Sequence, residues 1–91
     1  MVFQWDPSKA ASNLRKHKVG FPEAATVLGD PLAATFPDEA HSSPSEQRFA
    51  TVGVSVKGRV LVVVHTDRSR AIRLISARLA TRREKQFYEI G

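Results

Sequence analysis

The chain has 91 residues, no cysteine, 42% hydrophobic and 25% charged residues, enough for one folded domain over residues 1–91; this excludes a large multidomain enzyme, a disulfide-stapled fold and a thiolate zinc site. Its longest apolar run, Val60 to Val64, is far too short to span a bilayer, and Met1 to Asp6 lacks the basic and apolar order of an export signal, so a cytoplasmic protein without a membrane partner is expected. The net charge of +5 is uneven: residues 1–46 hold 4 basic and 6 acidic side chains, residues 47–91 hold 10 and 3, which points to an anionic partner.

In chain order, Asp6-Pro7 supplies a capping carboxylate and a pre-set first helical residue, predicting a helix to His17 that ends over Lys18-Val19-Gly20. Pro22 to Leu28 reads as a short second helix with Ala24, Val27 and Leu28 on one side, closed by Gly29. After the Asp30-Pro31 turn, Leu32 to Phe36 is expected as a short strand and Pro37 to Ser45 as the longest, most mobile loop. From Gln47 the period becomes two, with Phe49, Thr51, Gly53 and Ser55 on one side and Ala50, Val52, Val54 and Val56 on the other. A two-residue Lys57-Gly58 turn would pair Val56 with Arg59, Ala50 with His65 and Arg48 with Asp67.

The β-branched run to Thr66 predicts a central strand. Ala71 to Arg78 returns antiparallel in an undecided register. Thr81 and Glu84 have capping-box spacing and open a last helix through Glu89. The fold class is α+β: two N-terminal helices, an antiparallel meander of three to four strands and a C-terminal helix.

The candidate chemistry comes from His, Arg, Lys, Glu and Tyr side chains. His65, near the end of the central strand with Asp67 on the same side, is the first candidate for acid–base work, against the alternative of a half-buried, hydrogen-bonded histidine. Arg73 and Arg78, five apart on one strand, point to opposite faces, so at most one can share a cleft with His65. A guanidinium there would stabilise charge on a reacting phosphodiester. Arg68, Arg82 and Arg83 extend the cationic cluster, the last two at a helix start that favours anions. Lys16 and His17 either complement the end of the first helix or contact an anion, and Tyr88 either stacks on a base or packs the last helix. His17, His41 and His65 lie too far apart in sequence for a helical or loop metal site, so no metal and no cofactor is expected.

Several blocks in fixed order resemble the BrnT toxin family: Phe3-x-Trp5-Asp6-Pro7-x-Lys9-Ala10, Asn13-x-x-Lys16-His17, Phe21-x-Glu23-Ala24, Asp30-Pro31, Glu46-x-Arg48, Val62 to Thr66, and Ile72-Arg73-x-Ile75-Ser76-Ala77-Arg78-x-Ala80-Thr81-Arg82-x-Glu84. Lys18 stands where the family pattern has glycine, Pro22 falls at the second helix start and Leu79 replaces a basic residue. The resemblance implies a type II toxin with a RelE-like fold and ribonuclease activity. It also implies neutralisation by a BrnA-type ribbon-helix-helix antitoxin, in a complex that binds operator DNA through the antitoxin. The resulting expectation is a metal-independent endoribonuclease that inhibits translation, with His65, Arg73 and Arg78 catalytic and Lys16, His17, Arg68, Arg82, Arg83 and Tyr88 on the RNA. A non-catalytic basic binding module, or a degenerate toxin kept for antitoxin binding, is the alternative.

Overall fold

The structure, a computed structural model, describes residues 2–90, with the backbone alone at position 90. Strand β1 (Val2–Gln4) leads into α1 (Pro7–His17) and α2 (Phe21–Val27). β2 (Ala34–Pro37), a 3₁₀ turn (Glu39–His41), β3 (Arg48–Val54), β4 (Val60–Arg68), β5 (Ala71–Leu79) and α3 (Arg82–Ile90) follow. The five strands form one mixed sheet in the order β1-β5-β4-β3-β2, with β1 parallel to β5 and the other pairs antiparallel.

This corrects the expected meander of three to four strands. β1 is only three residues long and too short to show a period; its pairing of Val2 with Ala71 and Gln4 with Arg73 is supplied by β5, far along the chain.

Local chemistry sets the helices. The Asp6 carboxylate accepts from the Ser8 and Lys9 amides at 2.7 and 3.4 Å, and Pro7 occupies the first turn, where no N–H partner is needed. α1 closes at Lys18, which adopts the left-handed conformation with φ 58°. Pro22 likewise falls within the first turn of α2 and leaves it intact.

Both helices pack on one face of the sheet, where Val19, Phe21, Ala24 and Val27 meet Leu61, Val63, Leu74 and Ala77 in the main core. Trp5 meets the edge of Phe21 at 6.0 Å between ring centres. The opposite face carries a smaller cluster of Val52, Val62 and Ala80, against which Tyr88 of α3 packs.

Two register features decide which side chains share a face. The β3–β4 connection is a three-residue turn rather than Lys57-Gly58 alone. Gly58 N donates to Ser55 O and Ser55 N to Arg59 O, both at 2.8 Å, with Gly58 at φ 78°. Val54 therefore pairs with Val60 and Phe49 with His65, one residue away from the expected pairing of Ala50 with His65. Because strand side chains alternate, that single step moves His65 to the other face.

The second feature lies in β5, where Leu74 pairs with His65 and Ser76 with Val64, leaving Ile75 opposite no residue. This bulge resets the alternation. Arg73 pairs with Thr66 and Arg78 with Val62, and Thr66 and Val62 lie on one side of β4. The two arginines thus share a face, contrary to the expectation from their spacing.

Candidate functional site

The face opposite α1 and α2 holds an open cleft of about 770 Å³. Its floor is Ala50, Val52, Val62 and Val64, with Ser76 and Arg78 from β5; Phe36 of β2 and Phe87 of α3 meet edge-on at 5.3 Å along its wall. His17, Asp38, His41, Arg83 and Glu84 complete the lining. An apolar floor with cationic and imidazole groups around it suits a ligand that is part aromatic ring and part phosphate.

Arg78 is held as a fork against Glu84, Nη1 to Oε1 at 2.7 Å and Nη2 to Oε2 at 2.9 Å, and Nη1 also donates to the Leu79 carbonyl at 3.3 Å. Among the described residues its Nε–H and second Nη2–H meet no acceptor. Glu84 is fixed by the reciprocal box expected from the sequence: Thr81 N donates to Oε1 at 2.8 Å, and Glu84 N donates to Thr81 Oγ1 at 3.2 Å. The Arg78 guanidinium above all holds the Glu84 carboxyl down to about 2, so it is ionised at neutral pH. Arg83 is exposed and has no acidic partner among the described residues.

Asp38 precedes the 3₁₀ turn and His41 is its last residue. His41 Nδ1 lies 2.9 and 3.1 Å from the two Asp38 carboxylate oxygens, and the Asp38 side chain is 17% exposed against 68% for His41. The segment expected as the longest loop carries its own hydrogen bonds. Asp38 N donates to Arg48 O at 2.8 Å, Ser42 Oγ donates to Asp38 O at 2.8 Å, and Arg48 N donates back to Ser42 Oγ at 2.8 Å. Sequence reasoning weighed His41 only as a metal ligand. The available signal was Asp-x-x-His, a spacing that one helical turn brings together.

His65 does not reach this cleft. It is buried on the α1/α2 face, stacked on Phe49 at 5.9 Å, with Nε2 2.8 Å from Thr51 Oγ1 and Nδ1 enclosed without a partner among the described residues. Burial pushes its imidazole below the usual value, with Asp67 opposing weakly, which favours the neutral ring.

The other expected residues are dispersed. Arg73 lies on the cleft face but not in the cleft lining, nearer the β4–β5 turn. Arg68 pairs with Glu46 at 3.0 Å. His17 lines the cleft, and Lys16 lies beside it in a shallow depression with Asn13 and Ser76. Arg82 is exposed at the start of α3. Tyr88 is half-buried and donates its hydroxyl to Asp30 at 2.6 Å, holding α3 to the α2–β2 turn. Of the expected set, Arg78, Arg83 and His17 come together.

In class, then, this is a small α+β protein with three helices, a five-stranded mixed sheet and one large, basic-rimmed cleft on the sheet face that α1 and α2 leave uncovered. The chain belongs to the BrnT family: the family model described as the ribonuclease toxin BrnT of type II toxin–antitoxin systems matches residues 5–84. Among solved structures, the 1.1 Å crystal structure of the Brucella abortus ribonuclease toxin BrnT is similar, with 24% identity, 90% of this chain and 100% of that chain covered, and a TM-score of 0.69. That likeness shows a shared fold. No curated protein matches the chain. Family membership carries an antitoxin partner and an RNA substrate. Among the described residues no helix is long and apolar enough to cross a membrane.

Proposed function

We propose that the chain, acting as one RelE-like domain over residues 1–91, is a metal-independent endoribonuclease of the cytoplasm that arrests translation by cutting RNA in the cleft described above. The observation that carries this reading is the convergence of Arg78, Arg83 and two imidazoles, His17 and His41, on an apolar floor edged by Phe36 and Phe87. Such a surface binds one phosphate and one base at once. The 2′-hydroxyl attacks the adjacent phosphate and leaves a cyclic phosphate and a 5′-hydroxyl. Arg78 and Arg83 stabilise the charge that builds on the non-bridging oxygens. Lys16, Arg73 and Arg82 guide the flanking backbone. Arg68 and Tyr88, engaged by Glu46 and Asp30, contribute at most to the edge of the footprint. His65 has no part in this chemistry. A BrnA-type ribbon-helix-helix antitoxin neutralises the chain by covering the same cationic face and carries it to operator DNA.

The test is cleavage of end-labelled RNA in EDTA by the purified, antitoxin-free chain, with Arg83→Ala and Arg78→Ala beside it and circular dichroism as the folding control. Wild-type cleavage with cyclic phosphate ends, reduced about 10²–10³-fold in each variant, is expected. An intact wild-type chain that binds RNA or antitoxin without cutting is instead a binding module.

A further inference from the structure

The Asp38–His41 pair lies in the cleft with the arginines, although it comes from a segment without strand or α-helical periodicity. We infer that His41 is the general base of RNA cleavage and that Asp38 is its positioning residue; this rests on the reading of the chain as a ribonuclease.

An ionised carboxylate only accepts hydrogen bonds, so the Asp38 oxygens at 2.9 and 3.1 Å assign the ring proton to His41 Nδ1. In the neutral ring the lone pair is then on Nε2, which has no protein partner among the described residues. The two side chains divide the work by exposure: Asp38 is mostly enclosed and His41 stands in solvent. Asp38 is itself tied down through its backbone to Arg48 and Ser42. An enclosed carboxylate orienting an exposed imidazole is the arrangement that acid–base catalysis needs.

The other histidines lack these features. His65 lies on the far face, and His17, though in the cleft, has no carboxylate partner among the described residues. In the step assigned here, His41 Nε2 takes the 2′-hydroxyl proton as the 2′-oxygen bonds to phosphorus and the bond to the 5′-oxygen breaks. The departing oxygen takes a proton from water in the open cleft, and the proton on His41 returns to solvent. Arg78 and Arg83 hold the phosphate charge throughout.

The experiment compares wild type, His41→Ala, Asp38→Asn and Arg83→Ala on one RNA in EDTA, with thermal melts of each and added imidazole in parallel. His41→Ala is expected to fold normally and to lose about 10²–10⁴-fold in kcat with KM little changed. Imidazole should restore part of the His41→Ala rate and none of the Arg83→Ala rate. Asp38→Asn should lose kcat by a smaller factor without imidazole rescue, since its ring is present but misoriented. Wild-type rates in His41→Ala alongside a slow Arg83→Ala overturn the assignment while leaving the ribonuclease reading intact. A loss in His41→Ala that appears in KM and resists imidazole also overturns it, because a binding contact behaves that way. No cleavage by wild type overturns both.

Discussion

Asn13 does for β5 what a neighbouring strand would otherwise do. β1 pairs only with Ala71–Arg73, so the following stretch of β5 has a bare edge, and the buried Asn13 side chain fills it. Its Oδ1 accepts from Ala77 N at 3.0 Å, and its Nδ2 donates to Ala77 O at 2.8 Å and to Val19 O at 3.0 Å. Asn13→Ala strands these enclosed backbone groups and should cost about 3 kcal/mol in urea unfolding. Asn13→Asp, which cannot donate, should lose nearly as much. Lys18 is the reverse case. It holds a left-handed conformation that a side chain resists. Lys18→Gly should therefore raise stability by about 1 kcal/mol, read as a higher urea midpoint with unchanged slope. The left-handed Lys18 follows from where α1 must stop, whereas Asn13's role was invisible in the sequence because its partner, Ala77, is 64 positions away.

At the scale of elements, signals confined to a few residues were legible. The Asp6-Pro7 start of α1, the Thr81–Glu84 box that opens α3 and the two-residue period of β3 each need only near neighbours. Features set by pairing were not. Whether the β3–β4 turn spans two residues or three, and whether Ile75 bulges, is decided by what the strands pack against. Those two steps place His65 away from the cleft and bring Arg73 onto the face of Arg78. One packing constraint is Gly53, where an added Cβ would sit 2.9 Å from Ala33 Cβ and 3.1 Å from both Asp30 Oδ2 and Val27 Cγ1. Two of these neighbours are rigidly placed, and the third, the Asp30 carboxylate, also accepts from Val54 N and Tyr88. Gly53→Ala should push α2 and the following turn off β3, costing about 2 kcal/mol in a thermal or urea melt.

For the whole molecule, Glu23 and Glu84 tie elements together and, with Asp30 and Glu46, are carboxyls held below their ordinary values. Glu23 of α2, with a side chain only 5% exposed, accepts from Arg59 Nε at 2.9 Å, from Arg59 Nη2 and from Ser55 Oγ at 2.7 Å, joining the helical layer to the β3–β4 turn. Arg59 above all holds its carboxyl below the usual value, with burial opposing, and Arg78 holds Glu84 at about 2. Both groups bind a proton more weakly folded than unfolded. Their stabilisation is therefore present above the ordinary carboxyl value of 4.5 and is lost as pH falls through the lowered folded values. Urea midpoints measured from pH 7 to pH 3 should fall most steeply below pH 5, and Glu23→Gln should flatten that slope while lowering stability at neutral pH.

The parallel pairing of β1 with β5 also orders events in time. Val2–Gln4 is synthesised well before Ala71–Arg73 and has no strand to join until that segment has been made, so it is seated late. The cleft likewise draws on β3, β4, β5 and α3. A nascent chain that ends before Ala71 therefore has neither the β1 pairing nor Arg78 and Arg83, and the cationic cleft exists only once β5 and α3 are in place.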